Sequence, residues 1–129
     1  YAMRYGIPEI EKTLNKMTEK GCSKILLVPL YPQYAASTSA TVKDEVFKWM
    51  LKQRWQPDLR TIAPWFDNQL YIKALAETIK KNIINIKNLD KLVITFHGIP
   101  KRYFMAGDPY LAPDGCAHLL ARFGILQDA

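Results

Sequence analysis

The sequence predicts an α/β fold built on a parallel sheet. Two short apolar runs, Lys24-Ile25-Leu26-Leu27-Val28-Pro29-Leu30 and Leu92-Val93-Ile94-Thr95, are bounded by turn signals, as strands buried on both faces are. Segments with apolar residues at helical spacing separate them. The resulting order is helix, strand, helix, weak strand, helix, strand, helix, the alternation of parallel-sheet proteins. With 129 residues, 49% hydrophobic and 12% aromatic, the chain is long and apolar enough for its own core.

Each element has its own warrant. Pro8 to Lys20 reads as a helix: Pro8 suits a first helical position, Glu9 and Glu11 favour the first turn, and Ile10, Leu14 and Met17 share a face. Lys20-Gly21 is its stop signal. The Lys24–Leu30 strand follows, then a loop from Tyr31 to Thr41. The next helix carries Val42, Val46, Phe47, Met50 and Leu51 and breaks at Gln56-Pro57-Asp58. Leu59-Arg60-Thr61-Ile62 is the weak strand, and Pro64-Trp65-Phe66-Asp67 an aromatic loop. From Asn68, the residues Ile72, Leu75, Ala76, Ile79, Ile83 and Ile86 form one apolar stripe of a helix. A turn over Asn85–Asp90 leads to the strand before His97. A Gly/Pro-rich loop spans Gly107–Gly115, and Ala117 to Phe123 suits a last short helix stopped by Gly124. The break near Leu59–Asp67 is a candidate domain or subdomain join.

Composition narrows the function. The net charge of +6 favours acidic partners, although Lys43, Lys48, Lys52, Arg54, Lys80 and Lys81 are scattered over helix faces as in a solvated surface. The longest apolar stretches are about seven residues, against the roughly 20 of a membrane span. The chain opens Tyr1-Ala2-Met3-Arg4, with neither a charged-then-apolar leader nor an initiator Met, so it is expected to be a fragment. Cys22 and Cys116 form no Cys-x-x-Cys pair, read as small buried hydrophobes, and suit a reducing compartment. Trp49, Trp55 and Trp65 read as core or rim packing, and His118 as structural or exposed.

Three places carry chemistry. His97, in Phe96-His97-Gly98-Ile99-Pro100, leaves the carboxyl end of a predicted strand, where open α/β sheets bind ligands. An imidazole there can bind a cation and carry a proton, or it can be a satisfied structural residue. In the Tyr31–Thr41 loop, Ser37, Thr38 and Ser39 lead into a helix, which suits either an anion contact or plain N-capping. The loop is not a P-loop, since it lacks Gly-x-x-x-x-Gly-Lys. Arg4 beside Tyr5 can pair with a carboxylate while stacking on a flat ring, or be an exposed Arg beside a packing Tyr. Asp108 is the carboxylate closest in sequence to His97, and no proton is assigned to it.

Several strings together resemble one family. Ala2-Met3-Arg4-Tyr5-Gly6, Leu30-Tyr31-Pro32-Gln33-Tyr34-Ala35-Ala36-Ser37-Thr38 and Phe96-His97-Gly98-Ile99-Pro100-Lys101-Arg102-Tyr103 occur in the order seen in ferrochelatases, and Gly107-Asp108-Pro109-Tyr110 looks like theirs too. The resemblance runs from Tyr1 to about Tyr110. It implies a partial Rossmann-like chelatase fold, with residues 1–66 the end of one α/β half and residues 67–129 the start of a second. It implies a haem-biosynthesis lyase that inserts Fe²⁺ into protoporphyrin IX in a cleft between the halves.

On this resemblance His97 is the catalytic residue, taking pyrrole protons or holding the incoming metal. Arg4, Tyr5, Tyr34, Ser37 and Thr38 are the substrate-binding residues. Ferrous iron is a substrate, no cofactor is bound permanently, and no iron–sulfur cluster is expected. Ala36 stands where animal-type members carry a cluster cysteine, so the loop resembles that of bacterial members. The family's acidic active-site residue and its amino-terminal strand are expected to lie outside this piece, which is therefore expected to be inactive alone. Leu111 to Phe123 matches poorly. The expected partners are porphyrin and ferrous iron, without nucleic acid, in the cytoplasm; a peripheral membrane contact and the oligomeric state are left open. Two alternatives stand beside this reading. One is a chelatase for another tetrapyrrole of the sirohydrochlorin type, whose small members lack the Arg-Tyr and Tyr-Pro-Gln-Tyr strings. The other is a non-enzymatic α/β module that binds anions through its basic surface.

Overall fold

The computed structural model describes residues 1–109 apart from 88, 94 and 96. The chain divides into two compact units, Tyr1–Pro64 and Trp65–Ala129.

The first unit opens on a closed turn. The Met3 amide donates to the Pro8 carbonyl at 2.7 Å, and Met3 forms a parallel bridge with Glu9. Gly6 makes that reversal at φ +93, a conformation side chains resist. Because Met3 occupies the Pro8 carbonyl, α1 (Ile10–Glu19) starts two residues later than Pro8 suggested. Its first acceptor is Glu9, whose carbonyl takes the Thr13 amide at 3.0 Å. The helix ends in a Schellman motif, with Cys22 N–H on the Met17 carbonyl at 3.0 Å and Gly21 N–H on the Thr18 carbonyl at 2.9 Å. Gly21 supplies the left-handed φ of +82 that this closure needs.

The strands β1 (Lys24–Leu27) and β2 (Asp58–Thr61) pair in parallel, with Ile25 opposite Leu59 and Leu27 opposite Thr61. Between them runs α2 (Thr41–Lys52), the crossover that a parallel pair requires. The core lies where α1 and α2 cover one face of this pair. Leu14, Ile25, Val46 and Trp49 are buried together, with Ile10, Met17, Leu27, Met50 and Leu59 packed against them. The buried Trp49 indole donates to Asn15 Oδ1 at 2.7 Å, so α1 satisfies the N–H that this α2 side chain carries into the core.

The expectation that the Lys24–Leu30 strand is buried on both faces is corrected. Leu26, Val28 and Leu30 point away from the helices and are 62%, 44% and 80% exposed. Within this unit α1 and α2 lie over one face of the pair, so the run splits between an inward and an outward set. The strand also stops at Leu27, two residues before Pro29, which has no N–H for the ladder.

In the second unit, Asn68 caps α3 (Gln69–Ile83), its Oδ1 accepting from the amides of Leu70 at 3.0 Å and Tyr71 at 3.3 Å. Ile72, Leu75, Ala76, Ile79 and Ile83 are the half-buried side of α3, as their spacing predicts. Ile86 falls beyond the helix and is exposed. The Trp65 and Tyr71 rings meet edge to face at 5.0 Å.

Among the described residues, the predicted strand before His97 is not found; Ile94 lies outside them. Leu92, Val93 and Thr95 carry no strand pairing, and Leu92 and Val93 are 42% and 79% exposed. A strand exists only by pairing, and the described residues of this unit offer no neighbouring strand. Instead a short helix, α4 (Lys101–Met105), follows Pro100, and the turn after it closes on Gly107, φ +92. The proposed helix at Ala117–Phe123, His118, Cys116 and most of the Gly/Pro-rich loop lie outside the described residues. Among the described residues, no helix is long and apolar enough to cross a membrane.

Candidate functional site

The candidate substrate residues of the first unit fall on two features. One is the amino-terminal turn. The Arg4 guanidinium lies over the Tyr5 ring, 4.5 Å from its centroid. Its Nη2 reaches Glu45 Oε1 of α2 at 3.6 Å, and its Nε is buried without a hydrogen-bond partner. Tyr5 itself is 70% exposed. Arg4 and Glu45 both line a cavity of about 430 Å³ between this turn, the start of α1 and α2, together with Lys48, Trp49 and Lys52. The Glu45 carboxyl is held below the ordinary carboxylate range, first by the Lys48 hydrogen bond and further by the charges of Lys48, Arg4 and Lys52, against an opposing desolvation.

The other feature is the loop before α2. Residues Ala36–Ala40 wind into a single π-helical turn, with the Ala40 amide reaching back five residues to the Ala35 carbonyl at 3.3 Å. Thr38 sends both its amide (3.1 Å) and its hydroxyl (3.3 Å) to that same carbonyl. Thr41 Oγ1 donates to the Thr38 carbonyl at 2.9 Å. The N-capping alternative for Ser37, Thr38 and Ser39 is thereby corrected. The caps are Ala35 for the π-turn and Ala40 for α2, and neither makes a side-chain cap bond. The three residues lie within the turn, where the Thr38 hydroxyl competes for a backbone carbonyl. Ser39 is buried, Thr38 half-buried and Ser37 exposed. Single π turns occur frequently at functional sites.

Tyr34 precedes this turn, half-buried, with the Lys43 ammonium 5.6 Å from its ring centroid. Lys43 and Glu45 are two positions apart on α2, about 200° round the helix. The contacts to Tyr34 and to Arg4 therefore leave α2 in different directions. Arg4 and Tyr5 are brought together; Tyr34, Ser37 and Thr38 form a second group along the chain.

His97 belongs to the second unit. It is exposed, in the His97-Gly98-Ile99-Pro100 segment that leads into α4. Pro100 ends that segment and its carbonyl accepts the Tyr103 amide at 2.9 Å. Asp108 is buried at the close of α4, its amide on the Tyr103 carbonyl at 3.0 Å. Among the described residues, no three His, Cys, Asp or Glu side chains cluster as a metal site.

Sequence reasoning missed Glu45 and α4. Nothing in local spacing links Glu45 to Arg4, because the pair is made by the packing of α2 beside the amino-terminal turn. The short helix did have a signal, with Pro100 just before it and Gly107 just after it.

These features define a protein of the parallel α/β class, with an arginine–tyrosine stack beside its crossover helix. Comparison takes this further: the Ferrochelatase family model matches residues 1–120, and the chain belongs to that family. Over 111 residues, 85% of this chain, it is 55% identical to the ferrochelatase of Allorhizobium ampelinum. It is 50% identical to that of Agrobacterium fabrum and 44% to that of Francisella tularensis subsp. novicida over the same length. The match covers 32% of the Allorhizobium protein, so the chain spans about a third of the length of the curated relatives it resembles.

Proposed function

We propose that the protein carrying this chain is a ferrochelatase, a cytoplasmic lyase of haem biosynthesis that exchanges two pyrrole protons of protoporphyrin for one Fe²⁺. The observation that carries this is the family match over residues 1–120, which includes every string assigned to the site. In the proposed reaction two N–H bonds break, the nitrogens bind the metal, and two protons leave.

His97 is the residue assigned to that exchange. A neutral imidazole accepts a proton or replaces a water of the incoming cation, and an exposed position gives it access to both. Arg4 is assigned to a porphyrin carboxylate. Glu45 approaches its guanidinium only at Nη2, which leaves terminal donors for a ligand, and an adjacent ring suits a flat macrocycle. Ser37 and Thr38 of the π-turn, and Tyr34 just before it, are assigned to the same substrate. Residues 1–66 and 67–129 are assigned to two α/β halves. The metal is cargo, and no permanently bound cofactor is proposed; Ala36 offers no thiolate for an iron–sulfur cluster.

Nucleic acid is not proposed as a partner. Arg4, Lys12, Lys48, Lys52 and Arg60 each lie against a carboxylate, which leaves a dispersed rather than a concentrated basic surface.

The test is metal insertion by the full-length protein, followed with zinc and protoporphyrin by fluorescence. His97→Ala is expected to lower turnover by orders of magnitude with porphyrin binding largely intact. Near-normal turnover in that variant would remove His97 from the mechanism. Absence of any insertion by the unmodified protein would remove the assignment itself.

A further inference from the structure

We propose that Glu45 of α2 is the positioning residue for Arg4, fixing the guanidinium in the orientation that receives a porphyrin carboxylate. The inference rests on the assignment of Arg4 to that carboxylate.

Arg4 is constrained on three sides. Its backbone is pinned by the neighbouring Met3, whose amide is bound to the Pro8 carbonyl at 2.7 Å. One face of the guanidinium is stacked 4.5 Å from the Tyr5 centroid. Its Nη2 end is held 3.6 Å from Glu45 Oε1. Glu45 is a firm anchor, because Val46 and Trp49, its neighbours on α2, are each only 1% exposed. A free arginine loses much rotamer freedom when it closes on a ligand. Here that ordering is already done.

The charges are arranged so that the anchor does not cancel the cation. Lys48 Nζ reaches the same Glu45 oxygen at 3.0 Å, and Arg4, Glu45 and Lys48 together keep one net positive charge. The donors of Arg4 are also incompletely used. A guanidinium has five N–H donors in a fixed plane; Nε is buried out of a ligand's reach, and Glu45 approaches only the Nη2 end, so the donors left for a ligand are the terminal ones. An incoming carboxylate meets an oriented fork with open donors.

The test is a double-mutant cycle in the full-length protein: Glu45→Gln, Arg4→Met and the pair, read by protoporphyrin titration and by steady-state insertion. Glu45→Gln is expected to raise the porphyrin Kd and KM by about three- to fivefold with kcat unchanged, the scale of a partly exposed ion pair. The effect is expected to vanish in the Arg4→Met background. Thermal midpoints of all variants are measured alongside, and a KM effect that depends on Arg4 is one that a merely structural role does not produce. Tighter porphyrin binding by Glu45→Gln in both backgrounds would show that Glu45 acts only through its field and overturn the inference. An unchanged KM, or the same rise with and without Arg4, would overturn it too. If Arg4→Met binds porphyrin as the unmodified protein does, the assignment of Arg4 fails and the inference with it. If Arg4→Met loses binding while Glu45→Gln does not, only the inference fails.

Discussion

Trp49 Nε1 donates to Asn15 Oδ1 at 2.7 Å across the α1–α2 contact. The indole is 1% exposed, and Asn15 is the only described partner for its N–H. The pair fixes how far α1 can slide along α2, because a shift of one turn moves the amide some 5 Å away.

Asn15→Ala is therefore expected to destabilise the chain by about 1–3 kcal/mol, the cost of leaving a buried donor unmade. Chemical denaturation checks this. An unchanged midpoint would mean that water reaches the Trp49 indole.

Acid should weaken the fold partly through Glu45. Its folded pKa is lowered, chiefly by the Lys48 hydrogen bond. Such a group contributes stability in full above its unfolded pKa of about 4.3 and loses it as pH falls through the lower folded value. Between the two values the unfolded chain binds more protons, so stability rises with pH. Glu45→Gln is expected to flatten this acid limb and to leave the alkaline limb alone, as read by urea midpoints across the acid range.

Gly21→Ala is expected to cost about 1–2 kcal/mol, from the left-handed backbone alone. A Cβ there meets nothing within 4 Å, so no steric term adds to it. A loss well above that range in thermal unfolding would mean that the added Cβ meets a neighbour in the folded chain.

Leu26→Thr with Leu30→Gln should leave the unfolding midpoint nearly unchanged, since both side chains are mostly exposed. The same pair is expected to reduce self-association of the 129-residue chain, measured by sedimentation. Unaltered association would locate the sticky surface elsewhere.

Local signals in the sequence were read correctly where the answer was local. Gly21 stops α1, Asn68 starts α3, and the α3 stripe from Ile72 to Ile83 faces inward. The weak Leu59–Ile62 run became β2 because its partner β1 is present in the same unit. Leu92, Val93 and Thr95 belong to a run of similar β character with no strand described beside it, and among these described residues propensity alone did not make a strand. The site divides in the same way. Arg4 and Tyr5, adjacent in sequence, do stack, as their chemistry suggested. The Ser37–Ser39 hydroxyls suit either an anion contact or caps by their pattern, yet the Ala35 carbonyl gathers the turn into a π arrangement that sequence patterns do not encode. Glu45 was not legible, because its meeting with Arg4 depends on tertiary packing.

The register of the sheet sets an order of events during folding. Lys24 pairs with Asp58 and Leu27 with Thr61, residues that are far apart along the chain, and each strand is only four residues long. So short a ladder repays little of the entropy lost in closing that loop. Nucleation is then expected to belong to α1 and α2, whose contact through Leu14, Val46 and Trp49 forms without the strands being paired. Once α2 has docked, it brings Pro57 and β2 back beside Ser23, whose carbonyl takes the Asp58 amide at 2.8 Å. The parallel pair would thus close late, and substitutions in β2 should speed unfolding while leaving the folding rate almost untouched.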